Sequence, residues 1–412
     1  MRRVLVLAVG AFALGLDAYV MAGLLPVISS DLHTTEAVVG QMVTAFTLAY
    51  ALTAPLLASV LHRLRMRTVL VAALAVFTLA NALTAVAGSL ALLIVARILA
   101  GAGAGLYSAQ ASTAAAALVP PDRQGRALGA VMGGMSAGTV LGVPLGILLA
   151  ETTGWRATMW LITVLGLAVL LAVARWLPDL AAGRAVAIRE RLAMLVHRRV
   201  GGIMIVSFLA AVASLGLYTY LAPALHAVAG IDSVTGYLWV WGAGGVLGSL
   251  LVGPILDRRC ATHATNGDRQ LRHVVIVIMS VLVVALMLLV PLGHLARIAV
   301  LVPLLLWGTT GWALQVPQQQ RLLEIGGESR GGIAVAANNS ALYLGSATGS
   351  ALGGLVLAAG VGATMLPWLA AAVAALGLLT VLLVAPAARD RIPLHANEPT
   401  AETTDQRVGC RH

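Results

Sequence analysis

Residues 4–28 read VLVLAVGAFALGLDAYVMAGLLPVI, an apolar run broken by a single charge, Asp17, near its centre. At 1.5 Å per residue such a run crosses a hydrocarbon layer about 30 Å thick as one helix. A carboxylate at that depth costs about 2.5–3.5 kcal/mol on insertion scales. Every other acid of the chain falls in a predicted loop or at the end of a segment. Asp17 is therefore expected to handle a proton or a substrate. The alternative is a helix–helix hydrogen bond that only orders a bundle.

The rest of the chain repeats the pattern. Apolar residues make up 60% of the 412 positions and charged residues 10%, against about 25% charged in soluble domains. The pattern predicts twelve spans, at 4–28, 38–60, 69–87, 91–117, 127–150 and 158–177, then 200–224, 235–256, 274–293, 298–320, 333–359 and 364–386. They are too long and too apolar for barrel strands. The start, Arg2-Arg3 before a long apolar run, lacks a clear small-residue cleavage site and reads as an uncleaved first helix.

A net charge of +10 invites a nucleic-acid reading, but its placement argues otherwise. The 26 basic residues are all arginine. With both termini on one side, 23 of them fall there; only Arg156 and Arg297 fall opposite, and Arg97 lies within a span. That asymmetry predicts cytoplasmic termini and arginine-rich loops facing anionic lipid. Cys260 and Cys410 lie in an inner loop and the tail, implying neither a disulfide nor a metal site.

The two halves read as copies. Pro26 and Pro223 close helices 1 and 7, Arg63 and Arg258 follow helices 2 and 8, and helix 5 glycines 138, 142 and 146 match helix 11 glycines 345, 349 and 353. The offsets are 197, 195 and 207. A duplication in the same orientation is one known plan of secondary transporters, with the site between the halves near mid-membrane. The expected fold is an all-α membrane protein of two six-helix bundles, 1–177 and 200–386. A linker at 178–199, with Arg189-Glu190-Arg191 on a surface helix, and a disordered cytoplasmic tail at 387–412 complete it.

Helix 5 carries glycine at 134, 138, 142 and 146, a bare groove down one face, and Pro144 should bend it. This stretch, Gly138-xxx-Gly142-x-Pro144-x-Gly146, resembles the antiporter motif of the major facilitator superfamily. Arg97 with Gly101, Gly103 and Gly105 resembles that superfamily's fourth helix. Gly154-Trp155-Arg156 and Gly15-Leu-Asp17-Ala-Tyr19 through Gly23-Leu-Leu-Pro26 look like its drug–proton antiporter branch. The resemblance spans residues 1–386 and implies transport by alternating access, with Arg97 facing helix 1 and a cavity. The helix 5 and helix 11 glycine faces are expected to form the moving seam.

One loop departs from the family pattern. Where the superfamily carries Gly-xxx-Asp-Arg-x-Gly-Arg-Arg between helices 2 and 3, this chain has Ala58, His62, Arg63 and Arg67. The second copy keeps Gly253, Asp257 and Arg258. By resemblance these charges latch the cytoplasmic side. His62 either makes the first latch weak or pH-dependent, or is a solvated loop residue.

A nearby arginine favours a charged carboxylate and burial favours a neutral acid, so Asp17 is expected to carry the proton with Arg97 tuning it. The candidates for substrate contact are the polar and aromatic residues within spans: Tyr19, Gln41, Tyr50, Gln110, Tyr218, Gln315, Asn338, Asn339 and Tyr343. Asn338, Asn339 and Tyr343 are the preferred group, clustered within two turns of helix 11. Gln318, Gln319 and Gln320 are expected at the headgroups.

A chain without lysine has no Gly-xxxx-Gly-Lys phosphate loop, and no His-Glu-xx-His pair is present. The expectation is a monomeric, cofactor-free and metal-free proton-coupled antiporter of a bacterial cytoplasmic membrane. It would be no enzyme, and it would export a small neutral or amphipathic organic molecule. Efflux of a sugar or nucleoside, and an inward symporter or uniporter, are the alternatives.

Overall fold

A computed structural model describes residues 2–61, 64–120, 124–179, 197–262 and 267–383, without the side chains of 54–61, 124–126, 128, 250, 253–262, 267–268 and 327–333. Ten helices among the described residues are long and apolar enough to cross a membrane, and two more of similar length complete twelve. The first half comprises α1 (Arg2–Asp31), α2 (Glu36–Leu61), α3 (Met66–Ala85), α4 (Leu90–Ala117), α5 and α6 (Trp155–Trp176). Helix α5 runs through Gln124–Ala137, a π-helical turn at Gly138–Gly142, and Val143–Thr153. The second half comprises α7 (Arg198–Thr219, then Leu221–Ala229 after a break at Tyr220), α8 (Thr235–Thr262), α9 (Gly267–Leu295), α10 (Arg297–Gly326), α11 (Ala334–Ala358) and α12 (Ala363–Leu383).

Helices are the elements here because each satisfies its own backbone in a medium that offers no water. What brings them together is close backbone approach at small residues. A Cβ on Gly138 would collide with the Phe12 carbonyl of α1, and one on Gly345 with the Phe208 carbonyl of α7. Gly101 meets Phe46 of α2 in the same way, and Gly308 meets Trp241 of α8. Phe12 and Phe208 are 196 apart, Phe46 and Trp241 195, and each pair of glycines 207. The duplication thus survives as two copies of the same helix contacts.

These contacts correct one expectation. The glycine faces of α5 and α11 do not lie between the halves; each is filled by the first helix of its own bundle. Glycine permits the closest approach, so it holds a bundle together. The described contacts between halves come from other faces. Val140 of α5 faces Gly242 of α8, and α2 runs along α11.

The bend expected at Pro144 takes a specific form. Proline offers no N–H to the carbonyl four residues back, and the turn before it widens, with Val143 N–H reaching Gly138 O. A second correction concerns residues 257–273, which the expected spans 235–256 and 274–293 leave between them as an inner loop. Helix α8 continues to Thr262 and α9 begins at Gly267. Helical hydrogen bonding persists past the apolar segment because hydropathy marks the lipid boundary, not the end of the helix. The expected linker helix at 189–191, the tail and His62 lie outside the described residues.

On the arginine-poor side Gly154 adopts φ 89°, a conformation open to glycine, and turns the chain between α5 and α6. Arg156 then pairs with Asp31 at 2.8 Å and donates to Ala87 O at 3.0 Å. Arg297 donates to Ala229 O at 3.1 Å. Both arginines on that side therefore act as local clamps between helix ends.

Gly138→Ala should lower thermal stability by about 1–3 kcal/mol, the usual cost of overpacking. Gly133→Ala, where a Cβ meets nothing within 4 Å, should leave it unchanged. Thermal melting of the purified protein in one detergent compares the two.

Candidate functional site

Asp17 and Arg97 meet in the interior of the first bundle. Arg97 Nη1 donates to Asp17 Oδ1 at 2.7 Å, with the side chains 1% and 0% exposed. Asn81 of α3 donates through Nδ2 to Asp17 Oδ2 at 3.4 Å and to Phe77 O at 3.0 Å. Three helices therefore converge on one carboxylate. The Arg97 guanidinium also lies 4.3 Å from the ring centroid of Phe46 on α2. Arg97 Nε and Asn81 Oδ1 are buried without a hydrogen-bond partner. Sequence reasoning passed over Asn81, although an amide at the centre of an apolar span was the signal for it.

Tyr19 follows Asp17 by two residues, about 200° around the helix, and so faces the other half. Its ring meets Tyr218 edge-on at 5.6 Å, Trp241 at 6.3 Å and Trp312 at 6.5 Å. Tyr218 and Trp241 are 4.4 Å apart, and Trp241 meets Trp307 at 6.1 Å. Trp241 Nε1 is buried with no acceptor, whereas Trp307 Nε1 donates to Ser214 Oγ at 2.6 Å. The tryptophans escaped sequence reasoning because one indole in an apolar helix reads as core; only α1, α7, α8 and α10 together make them a group.

A second aromatic contact crosses between α2 and α11. Tyr50 and Tyr343 stack with centroids 3.7 Å apart. Phe46 lies 6.2 Å from Tyr50. Rings thus connect Arg97 in one half to α11 in the other: Arg97, Phe46, Tyr50, Tyr343.

The remaining candidates divide. Gln41 donates to Ala37 O at 3.3 Å and lies against Gly354 of α11 at the arginine-poor end of the seam. Gln315 is half-buried, one turn past Trp312, and Gln110 is half-buried on α4 without a described contact to the aromatic residues. The trio on α11 does not stay together. Asn339 is exposed, one turn from Tyr343 on the same stripe, while Asn338 is 0% exposed inside the second bundle. Adjacent helical residues diverge by about 100°, which is why they part. Gln318, expected at the headgroups, is also 0% exposed, because α10 continues to Gly326 and carries that position into the bundle. Gly138, Gly142 and Gly146 line the α1–α5 contact, and Pro144 is buried two residues from Gly142 and Gly146. Arg63 lies outside the described residues, as do the side chains of Asp257 and Arg258.

Removing one partner of a buried ion pair leaves an uncompensated charge. Arg97→Met should therefore destabilise the protein by about 3–5 kcal/mol. Adding Asp17→Asn to that variant should recover most of the loss, and a double-mutant cycle of melting temperatures measures the coupling.

The comparisons with known proteins agree with this architecture. The family model described as Major Facilitator Superfamily matches residues 7–346. The inner membrane transport protein YdhP of Escherichia coli (strain K12) is 30% identical over 383 residues, covering 92% of this chain and 95% of that protein. A chloramphenicol resistance protein of Streptomyces lividans is 36% identical over 268 residues, 62% of this chain and 67% of that one. The crystal structure of the human organic anion transporter MFSD10 superposes with a TM-score of 0.65 at 19% identity, over 92% of this chain and 99% of that chain. With twelve helices in two like-built bundles and a family match over most of its length, this chain belongs to the major facilitator superfamily of membrane transporters.

Proposed function

We propose that this transporter exports a small neutral or amphipathic aromatic molecule across a bacterial cytoplasmic membrane in exchange for protons. The carrying observation is the fully buried Asp17–Arg97 pair, joined by rings to the seam between the halves. A proton and Arg97 compete for the same carboxylate. Protonation of Asp17 frees the guanidinium, which rests on Phe46, and through Phe46 and Tyr50 the change reaches Tyr343 on α11. Inward proton flow thereby favours one packing of α2 on α11, and substrate binding favours the other.

Tyr19, Tyr218, Trp241, Trp312, Tyr50 and Tyr343 surround the seam at the depth where a substrate would bind. Flat rings stack on such surfaces, each good pair contributing about 0.5–1.5 kcal/mol. The unpartnered Trp241 N–H suits a carbonyl or nitro acceptor on the guest. The relative described as a chloramphenicol resistance protein supports including such compounds among the first substrates tried. The arginine-rich side, which carries both termini in this reading, faces the cytoplasm.

The test is internal pH in proteoliposomes under an imposed proton gradient, with panels of phenicols, nucleosides and sugars. One compound class should trigger proton movement in the wild type and none should do so in Asp17→Asn. Compound flux unchanged in that variant, without proton movement, would reduce Asp17 to a packing residue. For the responding compound, Trp241→Leu should raise KM about tenfold, the equivalent of about 1.4 kcal/mol, with a smaller effect on kcat.

A further inference from the structure

The second bundle holds a set of buried polar groups that the transport reading does not use. On the arginine-rich side, Val200, Ile203, Leu322 and Ala334 form a small apolar cluster where α7, α10 and α11 meet. One helical turn deeper on each helix, four residues from Ile203, Leu322 and Ala334, stand Ser207, Gln318 and Asn338. Residues four apart share a helix face, so the three side chains point the same way as the cluster and form the next layer. All three are buried. Ser207 Oγ, both polar atoms of Gln318 and both of Asn338 lack a hydrogen-bond partner.

The duplication supplies an internal control. The offsets that relate the glycine contacts, 196 for α1 to α7 and 207 for α4 and α5 to α10 and α11, map the apolar cluster onto Val4, Leu7, Ala115 and Ala127. Those four are likewise buried. The same mapping takes Ser207, Gln318 and Asn338 to Ala11, Ala111 and Val131, all buried and all apolar. One copy of the fold therefore packs this layer with no polar atom. The other places a hydroxyl and two amides there, with no bond between them. Packing alone does not require them.

We propose that Ser207, Gln318 and Asn338 form an internal hydration site in the C-terminal bundle, whose ligand is water. Each amide offers two N–H donors and a carbonyl acceptor, and the hydroxyl does both. A neutral ligand that donates and accepts satisfies such a set, and a buried water with two to four polar partners is the smallest that does. A cation would leave the N–H groups facing positive charge, and the layer contains no carboxylate to balance it. The site is separate from Asp17 and stands whether or not transport is proton-coupled.

Hydroxyl-radical footprinting of the purified full chain by water radiolysis tests this, because radicals born from a bound water label the side chains beside it. Ile203 and Leu322 should be labelled, while Leu7, the equivalent of Ile203 in the apolar copy, should not. The triple variant Ser207→Ala, Gln318→Ala, Asn338→Val, which installs the residues of the other copy, should lose the labelling. Wild-type Ile203 and Leu322 as silent as Leu7 would overturn the proposal, and that comparison needs no variant to fold. A saturable rise in melting temperature with sodium chloride, absent with choline chloride and lost in the triple variant, would overturn it in favour of a cation.

Discussion

Helices in hydrocarbon have no hydrophobic force drawing them together, so this protein depends on contact between helix backbones. Glycine supplies that contact at matching places in both halves. Gly138 and Gly345 seat α5 on α1 and α11 on α7, while Gly101 and Gly308 seat α4 on α2 and α10 on α8. Each is closer than any side chain permits, which makes the contacts short-range and exacting. Such bundles suit bodies that move as units. The contacts across the seam between the halves are made instead by aromatic side chains and by Val140 against Gly242.

Against that background the Asp17–Arg97 pair is a deliberate expense. A buried ion pair is weak evidence for stability, since apolar packing of the same volume does as well or better. Here it draws on α1, α3 and α4 and touches α2 through Phe46, so four of the six helices in its bundle sense the charge on one carboxylate. In the proposed exchange a change of protonation is felt by most of that half, and the ring contacts offer it a route to α11.

Comparison of the two copies separates what packing needs from what function added. Where both copies keep the same character, as in the glycine contacts and the apolar clusters at Val4 and Val200, the position serves the fold. Where they differ, one copy carries polar groups that the packing of the other does without. Asp17 has its counterpart at Ala213, and the layer of Ser207, Gln318 and Asn338 has its counterpart in Ala11, Ala111 and Val131. Each half therefore carries polar groups that the other lacks.

By itself the sequence determined the spans, the duplication and the burial of a charge at Asp17, because transfer out of water is a local cost readable residue by residue. Arg97 was legible for the same reason. Direction around a helix was not. Asn338 and Asn339 are neighbours in sequence and part by about 100°, and the glycine faces of α5 and α11 could have met any helix. Only the tertiary structure placed those faces within bundles, gathered Trp241 and Trp312 around Tyr19, and brought Asn81 to Asp17. Each of these depends on how helices distant in sequence are rotated against one another. That rotation is set by the sum of many weak packing contacts, and no single residue reveals it.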